Sequence, residues 1–166
     1  LAWKSDPSNP QNALVENKIR NDLNKATGEL TGADLEKVVN LTFLFKLNDK
    51  GINEVAKLKR LRRLLLVKTG ITDAGLRDLA TLQELLSVTI SGSDITDAGL
   101  KELAKLQQLE ELGLPATPVT DQGLKELAKL KNLYSINLKG TKVTKAGVAA
   151  LQKVLPSCNI LHSAKK

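Results

Sequence analysis

The sequence has few of the residues on which stapled or metal-bound domains depend. It contains one cysteine, Cys158, and one histidine, His162. A single cysteine cannot form an internal disulfide and cannot build a cysteine-based zinc site. No apolar run approaches the ~20 residues that a membrane-spanning helix needs. These absences exclude a disulfide framework and leave a single folded core as the source of stability.

Aromatic residues are also scarce, at 2% of the chain, although apolar residues make up 42%. The core must therefore consist of Leu, Ile, Val and Ala. Such a core suits stacked identical layers, because the same branched aliphatic residue fills each layer in the same way. The chain has 166 residues, and we expect one domain over 1–166.

One short phrase occurs four times with a spacing of 24 residues. It reads ITDAGL at 71–76 and at 95–100, VTDQGL at 119–124 and VTKAGV at 143–148. A fixed period in this range is typical of a solenoid, in which each unit buries its apolar face against its neighbours. The sequence therefore predicts an array of stacked repeats with an extended surface.

Each repeat begins with an aliphatic ladder. In one copy it consists of Leu106, Leu109, Leu112 and Leu114, and the final spacing of two predicts a short strand with alternate side chains inward. A hydroxyl residue follows three positions later in every copy. In a row where the chain turns, these hydroxyls can satisfy backbone groups that no strand or helix pairs. The row comprises Thr69, Ser93, Thr117 and Thr141.

The second half of each repeat predicts a short helix. A residue with an N-capping side chain opens it in five copies, at Asn48, Thr72, Thr96, Thr120 and Thr144. An acid then places negative charge at the positive end of the helix dipole, at Asp73, Asp97 and Asp121. A glycine follows in every copy, which indicates a helix backbone packed too closely against its neighbour for a side chain. These glycines are Gly51, Gly75, Gly99, Gly123 and Gly147.

This unit of strand, turn and short helix resembles a leucine-rich repeat. The wording TDAGLKELAKL at 96–106 is similar to bacterial repeats related to the ribonuclease-inhibitor-like and cysteine-containing subclasses. The resemblance covers Leu41 to about Leu151. It implies an α/β solenoid with a curved parallel sheet on the concave side and short helices on the convex side, and it places the repeats at 41–151.

Both ends are expected to cap the array. The segment 13–41 resembles the N-terminal flank of secreted or surface-attached bacterial leucine-rich repeat proteins, with a helix, a turn at Thr27 and Gly28, and a second helix started by Thr31. We expect a lead-in and helical cap at 1–40, in which 1–12 is partly ordered and Trp3 is either packed on the cap or free. We expect a C-terminal cap and tail at 152–166, with a strand at 158–161 and a buried Cys158.

The sequence offers no catalytic constellation. A nucleophile triad needs a histidine base or a substitute, and we expect His162 to be a surface residue in a frayed tail. The repeated aspartates are explained as dipole partners, and no phosphate-binding glycine loop occurs. We therefore expect no enzyme, no metal site and no cofactor.

Positive charge is concentrated in the segment 57–68. The chain carries a formal net charge of +7, and six of its cations lie here: Lys57, Lys59, Arg60, Arg62, Arg63 and Lys68. One interpretation is a solvated rim that keeps the protein soluble, and the other is attraction of an acidic partner. Nucleic acid is disfavoured, because the aromatic residues are scattered and no recognition-helix motif is present.

The alternation of each strand predicts which side chains face outward onto the concave sheet. Leu44, Leu65 and Val67 form an apolar spot bordered by Arg63, while later rows are small and polar and include Gly113 and Pro115. An exposed apolar patch beside a charge is typical of a binding centre, although aliphatic residues are also ordinary strand formers. The predicted partner-binding residues are Leu44, Arg63, Leu65, Val67, Thr89, Glu111 and Asn137.

The function expected from these features is non-catalytic recognition of another protein, possibly acidic, through the concave sheet. The resemblance favours a monomeric bacterial extracytoplasmic or surface protein. The alternative is a cytoplasmic adaptor or inhibitor that docks a protein enzyme. A signal peptide in the full-length precursor would favour the first, and its absence would favour the second.

Overall fold

The chain folds into alternating strands and short helices. The structure, a computed structural model, describes residues 2–163. Its helices are α1 (Pro10–Asp22), α2 (Gly32–Glu36), α3 (Asp49–Val55), α4 (Asp73–Leu79), α5 (Asp97–Leu103), α6 (Asp121–Leu127) and α7 (Lys145–Val154). Its strands are β1 (Asn40–Leu44), β2 (Arg63–Val67), β3 (Ser87–Ser91), β4 (Glu111–Gly113), β5 (Ser135–Leu138) and β6 (Asn159–His162).

The strands form one parallel sheet in sequence order, from β1 to β6. Partners in neighbouring strands are 24 residues apart, as in Ser87 with Glu111, except that Asn40 of β1 pairs with Arg63 of β2, 23 residues on. The helices from α3 to α7 pack against one another in the same order. This arrangement confirms the predicted solenoid. Residue 1 and residues 164–166 of the predicted tail lie outside the described residues.

The aliphatic ladder forms the core, as predicted. Leu106, Leu109, Leu112 and Leu114 are each at most 2% exposed. Burial of one such side chain is worth about 1.5 to 3 kcal/mol. The layers share one continuous cluster that runs from Trp3 to Cys158.

The predicted hydroxyl row lies in the turns after the strands and has the structural role expected of it. Thr69, Ser93 and Thr117 are at most 6% exposed. Ser93 Oγ lies 3.2 Å from Thr69 Oγ1 and from Thr69 O, while Thr117 and Thr141 donate to the carbonyls of Leu114 and Leu138. These hydroxyls, of which Thr141 is only partly buried, therefore bond to backbone carbonyls at the turns.

The repeated aspartates link neighbouring repeats, a role that the sequence analysis missed. Thr96 is the N-cap of α5, and both its backbone N–H (2.8 Å) and its hydroxyl (2.5 Å) donate to the carboxylate of Asp73 in the preceding repeat. The same pair of hydrogen bonds joins Asp49 to Thr72, Asp97 to Thr120 and Asp121 to Thr144. We call these four contacts the aspartate ladder. The aspartates still lie in the first turn of their own helices, where the dipole favours them.

The ladder explains the repeated glycines. A Cβ added at Gly99 would lie within 3.0 Å of the Asp73 carboxylate and of Leu76 Cδ1. Gly123 and Gly147 face Asp97 and Asp121 of their own preceding repeats in the same way. The predicted close approach is therefore confirmed, and the neighbouring group is chiefly a carboxylate.

Both ends of the ladder are modified. Gln11 on α1 takes the place of an aspartate, because its Oε1 accepts from the N–H of Asn48 at 3.1 Å and lies where a Cβ of Gly51 would be. At the other end, Lys145 occupies the position that holds aspartate in the preceding repeats, and no further helix follows it among residues 2–163. The cap helix α1 thus continues the contacts of the repeats.

The N-terminal segment from residue 2 to residue 12 packs against the cap and the first repeat, and Trp3 takes the packed position of the two that were expected. Helix α1 begins at Pro10, so the last residues of that segment are helical. Trp3 is 7% exposed, and its backbone N–H donates to Leu30 O at 2.8 Å. The buried amide of Asn12 bridges Glu54 Oε2, at 2.7 Å, and the backbone N–H of Asp6. Apolar burial and this polar network hold the segment on the first repeat.

The C-terminal end differs from the prediction in one respect. His162 is the last residue of β6, paired with Leu138, and does not lie in a frayed tail. The pairing continues because Ser135 to Leu138 offer β6 a full parallel partner. Cys158 is 4% exposed, as expected for a small buried residue, and burial raises the pKa of its thiol.

Candidate functional site

The outward-facing positions of the six strands form three rows across the sheet, which we call the outer sheet face. The first row contains Asn40, Arg63, Ser87, Glu111, Ser135 and Asn159. The second contains Thr42, Leu65, Thr89, Gly113, Asn137 and Leu161. The third contains Leu44, Val67 and Ser91. Inward positions of the same strands are buried, so the predicted alternation holds.

All seven predicted binding residues lie on this face, but the structure divides them. Leu44 and Val67 are direct partners, and Leu65 pairs with Thr89. Arg63 and Glu111 share the first row but are separated by Ser87. Thr89 and Asn137 share the second row, where Gly113 lies between them. The apolar members therefore gather at the N-terminal end of the sheet and the polar ones spread toward the other end.

Gly113 and Pro115 do not extend the outer face as predicted. Gly113 is buried, because the Thr89 side chain covers it so closely that an added Cβ would lie within 3.0 Å of Thr89 Oγ1. Strand β4 ends at Gly113. Pro115 follows without an N–H to donate, although its carbonyl still accepts from Gly92 at 3.0 Å.

Large apolar side chains are exposed on β1, on β2 and in the turn that follows β1. Leu44 is 59% exposed, Phe45 is 53% exposed and Leu65 is 37% exposed, with Val67 half-buried beside them. We call these four residues the apolar spot. Phe45 was not among the predicted residues, so the spot is larger and contains an aromatic ring.

The turn that follows Phe45 is one residue shorter than the later turns. Between the end of β1 and the buried Leu47 there are only two residues, Phe45 and Lys46, whereas three separate β2 from the equivalent Ile71. Both residues of the short turn adopt left-handed backbone angles, with φ of 61° and 59°. That region costs a residue with a Cβ about 1 to 2 kcal/mol. An alignment of this turn with the later turns of the sequence could have revealed that Phe45 is exposed.

A hydrogen-bonded carboxylate lies in the polar half of the face. Glu111 accepts from Ser87 Oγ at 3.0 Å and from the hydroxyl of Tyr134, which stands just before β5. The hydrogen bond from Tyr134 lowers the pKa of Glu111, with further lowering from Ser87 and from the charge of Arg63. The same bond raises the pKa of Tyr134. This arrangement holds the carboxylate ionised and fixed in position, and Tyr134 was missed because it precedes the strand.

The basic segment 57–68 is divided between two surfaces. Near the helices, Lys57 pairs with Glu54 at 2.5 Å and lies over the Trp3 ring at 5.2 Å from its centroid, and Arg60 pairs with Glu84 at 2.7 Å. Lys59 donates to Thr81 at 3.2 Å. The side chains of Arg62, Arg63 and Lys68 are exposed, and they form no hydrogen bond or ion pair with any residue from 2 to 163. Only this second group is available to a partner at the outer sheet face.

The described residues form neither a metal-binding cluster nor a membrane-spanning helix. Within residues 2–163, no group of three or more His, Cys, Asp or Glu side chains is placed to hold a metal ion. In that same part of the chain, no helix has the length and apolar character needed to cross a bilayer. The outer sheet face offers apolar contact at Leu44, positive charge at Arg63 and a hydrogen-bonded carboxylate at Glu111.

Comparison with known proteins agrees with this geometry. A family model described as a leucine-rich repeat matches residues 82–104, which comprise one repeat. An internalin of Listeria monocytogenes, inlF, superposes with a TM-score of 0.57 at 17% identity, over 92% of this chain. The fold is that of a leucine-rich repeat protein. Comparison with curated proteins gives no match.

Two further structures with leucine-rich repeats are similar. Internalin C2 of Listeria monocytogenes has a TM-score of 0.50 at 18% identity, covering 90% of this chain and 84% of its own. A leucine-rich repeat protein of Leptospira interrogans has a TM-score of 0.50 at 23% identity, covering 76% of this chain and 38% of its own. The chain spans 57% of inlF, so it matches part of a longer protein there. The leucine-rich repeat fold is usually non-catalytic and is typical of protein-binding modules.

Proposed function

We propose that this leucine-rich repeat protein is a non-catalytic recognition module that binds another protein through its outer sheet face, with the apolar spot as the centre of the contact. The observation that carries the proposal is the exposure of Leu44, Phe45 and Leu65 together at one end of the sheet. Exposed apolar patches rimmed by polar residues mark interaction sites, and energetic centres of interfaces are often aromatic.

The chemistry around the spot favours an acidic partner. Arg62, Arg63, Lys46 and Lys68 are exposed, and none forms an ion pair among the described residues 2–163. A partner with carboxylates around an apolar side chain would match this charge distribution. The basic residues would then raise the rate of association, and salt would slow it.

Phe45 occupies a turn position that is left-handed in every repeat. The equivalent residues are Lys68, Gly92, Ala116 and Gly140, and a glycine adopts this conformation at no steric cost. Only the first turn places an aromatic ring there. The retention of a half-exposed aromatic ring there is consistent with a binding role.

The polar half of the face is proposed to set specificity. Glu111 is held by Ser87 and Tyr134, so little side-chain entropy is lost when a donor on the partner approaches it. Thr89 and Asn137 lie in the adjacent row and supply further hydrogen-bonding groups.

For the location, we propose an extracytoplasmic or cell-surface protein of a bacterium, acting as a monomer. The likeness of its cap to those of secreted bacterial leucine-rich repeat proteins and its structural similarity to Listeria internalins support this. A cytoplasmic adaptor that docks an enzyme remains the alternative. Cell fractionation of the full-length product separates the two, since only the first predicts the protein outside the cytoplasm.

The double variant Leu65→Ala/Val67→Ala is expected to weaken partner binding by about 1 kcal/mol or more, because both side chains lie on the exposed side of β2. The measurement is affinity capture in parallel with the parent chain as bait, followed by titration of the captured protein. Lys101→Ala/Lys125→Ala, on the exposed side of α5 and α6, serves as the control and should bind normally. Normal binding by the first variant and loss by the second would contradict the proposal.

Phe45→Gly is expected to weaken binding while it leaves the fold as stable as before. The loss of the ring removes partner contact, whereas relief of about 1 to 2 kcal/mol of left-handed strain offsets the greater entropy of an unfolded glycine. The matched control is Ala116→Gly, at φ 55° in a later turn, which should change neither property by much. Urea unfolding and partner titration test both variants, and unchanged affinity of Phe45→Gly would remove Phe45 from the site.

A further inference from the structure

Strand β1 has an open edge. In a parallel pair, alternate residues direct their N–H and C=O groups toward the same neighbour. Phe45 N donates to Val67 O at 2.9 Å, and Val39 O accepts from Arg63 N at 3.0 Å, so the odd-numbered residues of this segment bond to β2. The backbone groups of Asn40, Thr42 and Leu44 must therefore face the other way.

Nothing in the described chain covers those groups. Among residues 2–163, no backbone or side-chain group outside the sheet donates to or accepts from the backbone of Asn40, Thr42 or Leu44. A groove of about 380 Å³ runs along this edge. Its lining residues include the ion pair of Lys18 with Asp22 (2.7 Å), Leu23, Lys37 and Thr42. An edge with unpaired amides beside a groove is a template for another strand.

We propose that the β1 edge binds an extended segment of a partner protein as a seventh strand, with acidic residues at the ends of that segment. The chemistry of the flanks supports the acidic ends. The side chain of Lys37 is 68% exposed and pairs with Asp34 at a long distance of 3.8 Å. Lys25 lies closer to the same carboxylate, at 2.7 Å. Lys46, at the other end of β1, is exposed and has no ion-pair partner among residues 2–163.

A second copy of the chain fits this edge poorly. Antiparallel pairing of two β1 edges would bring Lys37 of one copy close to Lys46 of the other. Lysines at an edge act against such self-pairing. The same lysines attract carboxylates, so a different, acidic chain is the occupant that the charges favour.

The edge is tested with random seven-residue peptides displayed on phage and selected on the immobilised chain. The enriched peptides should carry Asp or Glu at their ends and β-branched residues between, and a synthetic copy should bind the chain in solution. Thr42→Pro should weaken that binding at least tenfold, because it removes an outward N–H and fills the edge while it leaves the bonds to β2 intact. Thr42→Ser is the matched control and should bind as the parent does.

N-methylation of the synthetic peptide tests the same proposal through peptide affinity, without a protein variant. Methyl groups on the alternate amides that face β1 should weaken binding at least tenfold, and methyl groups on the other alternate set should have little effect. The proposal would be overturned if the two sets of methyl groups had equal effects. It would also be overturned if a folded Thr42→Pro variant bound the peptide with parent affinity, or if acidic peptides were not enriched. The inference does not depend on the outer sheet face, since Leu65→Ala/Val67→Ala lies on β2 and should leave this peptide binding unchanged.

Discussion

Replacement of Leu112 by Asp is expected to unfold much of the array. Leu112 is 2% exposed at the centre of β4, with neighbouring layers on both sides. An aspartate there must remain an unpaired buried charge or take up a proton, and the lost packing of the leucine alone costs about 2 to 5 kcal/mol. Since whole domains are stable by about 5 to 15 kcal/mol, most of the stability would be lost. Urea unfolding followed by circular dichroism measures it.

The matched control is the same substitution at an exposed leucine. Leu65→Asp places the carboxylate on the outer sheet face, where the residue is 37% exposed, and should change stability far less. Hydrogen exchange in both variants shows how far the damage spreads. A loss of protection limited to β4 and its turn would mean that the repeats do not share one cooperative core.

Replacement of Gly99 by Leu is the second large effect that we expect. A side chain at this position meets the Asp73 carboxylate and Leu76, so it must overpack the interface and displace the two hydrogen bonds to Thr96. Overpacking costs about 1 to 3 kcal/mol, and each lost hydrogen bond adds about 1 kcal/mol. The gain of about 1 kcal/mol in helix propensity does not offset these costs. Thermal and urea unfolding give the difference.

Gly70 provides the control for this position. An added Cβ there meets nothing nearer than 3.7 Å, so Gly70→Leu should be tolerated. A double-mutant cycle then isolates the carboxylate: Gly99→Ala should cost less in an Asp73→Ala background than in the parent. Additive effects would show that the aspartate ladder does not fix the glycine.

The regular part of the fold could be predicted from the sequence because each position of one repeat can be compared with the same position in the other repeats. The spacing of 24 residues identifies strand, turn, cap and helix in each copy at once, and the N-caps from Asn48 to Thr144 were all confirmed. Contacts between copies were harder to see. Asp73 suits the dipole of its own helix, and that local explanation concealed its bonds to Thr96 in the next repeat.

The parts that could not be predicted are those that break the repeat. Gln11 lies in a helix outside the array, so no period places its amide against Asn48. The first turn is one residue shorter than the others, and its second residue, Lys46, adopts a left-handed backbone that the later turns do not repeat. At the candidate site, the alternation placed Leu44, Leu65 and Val67 correctly on the exposed face. It failed at Gly113, because burial there depends on the shape of Thr89 in the neighbouring strand.

Site-specific photo-cross-linking tests the central claim most directly, since it reports which surface touches a partner. A photoreactive amino acid is placed at Leu65 on the outer sheet face in one variant and at Lys101 on α5 in another, and each is irradiated with the captured partner. Binding through the outer sheet face predicts a cross-link from position 65 and none from position 101. A cross-link from position 101 with none from position 65 would contradict the account.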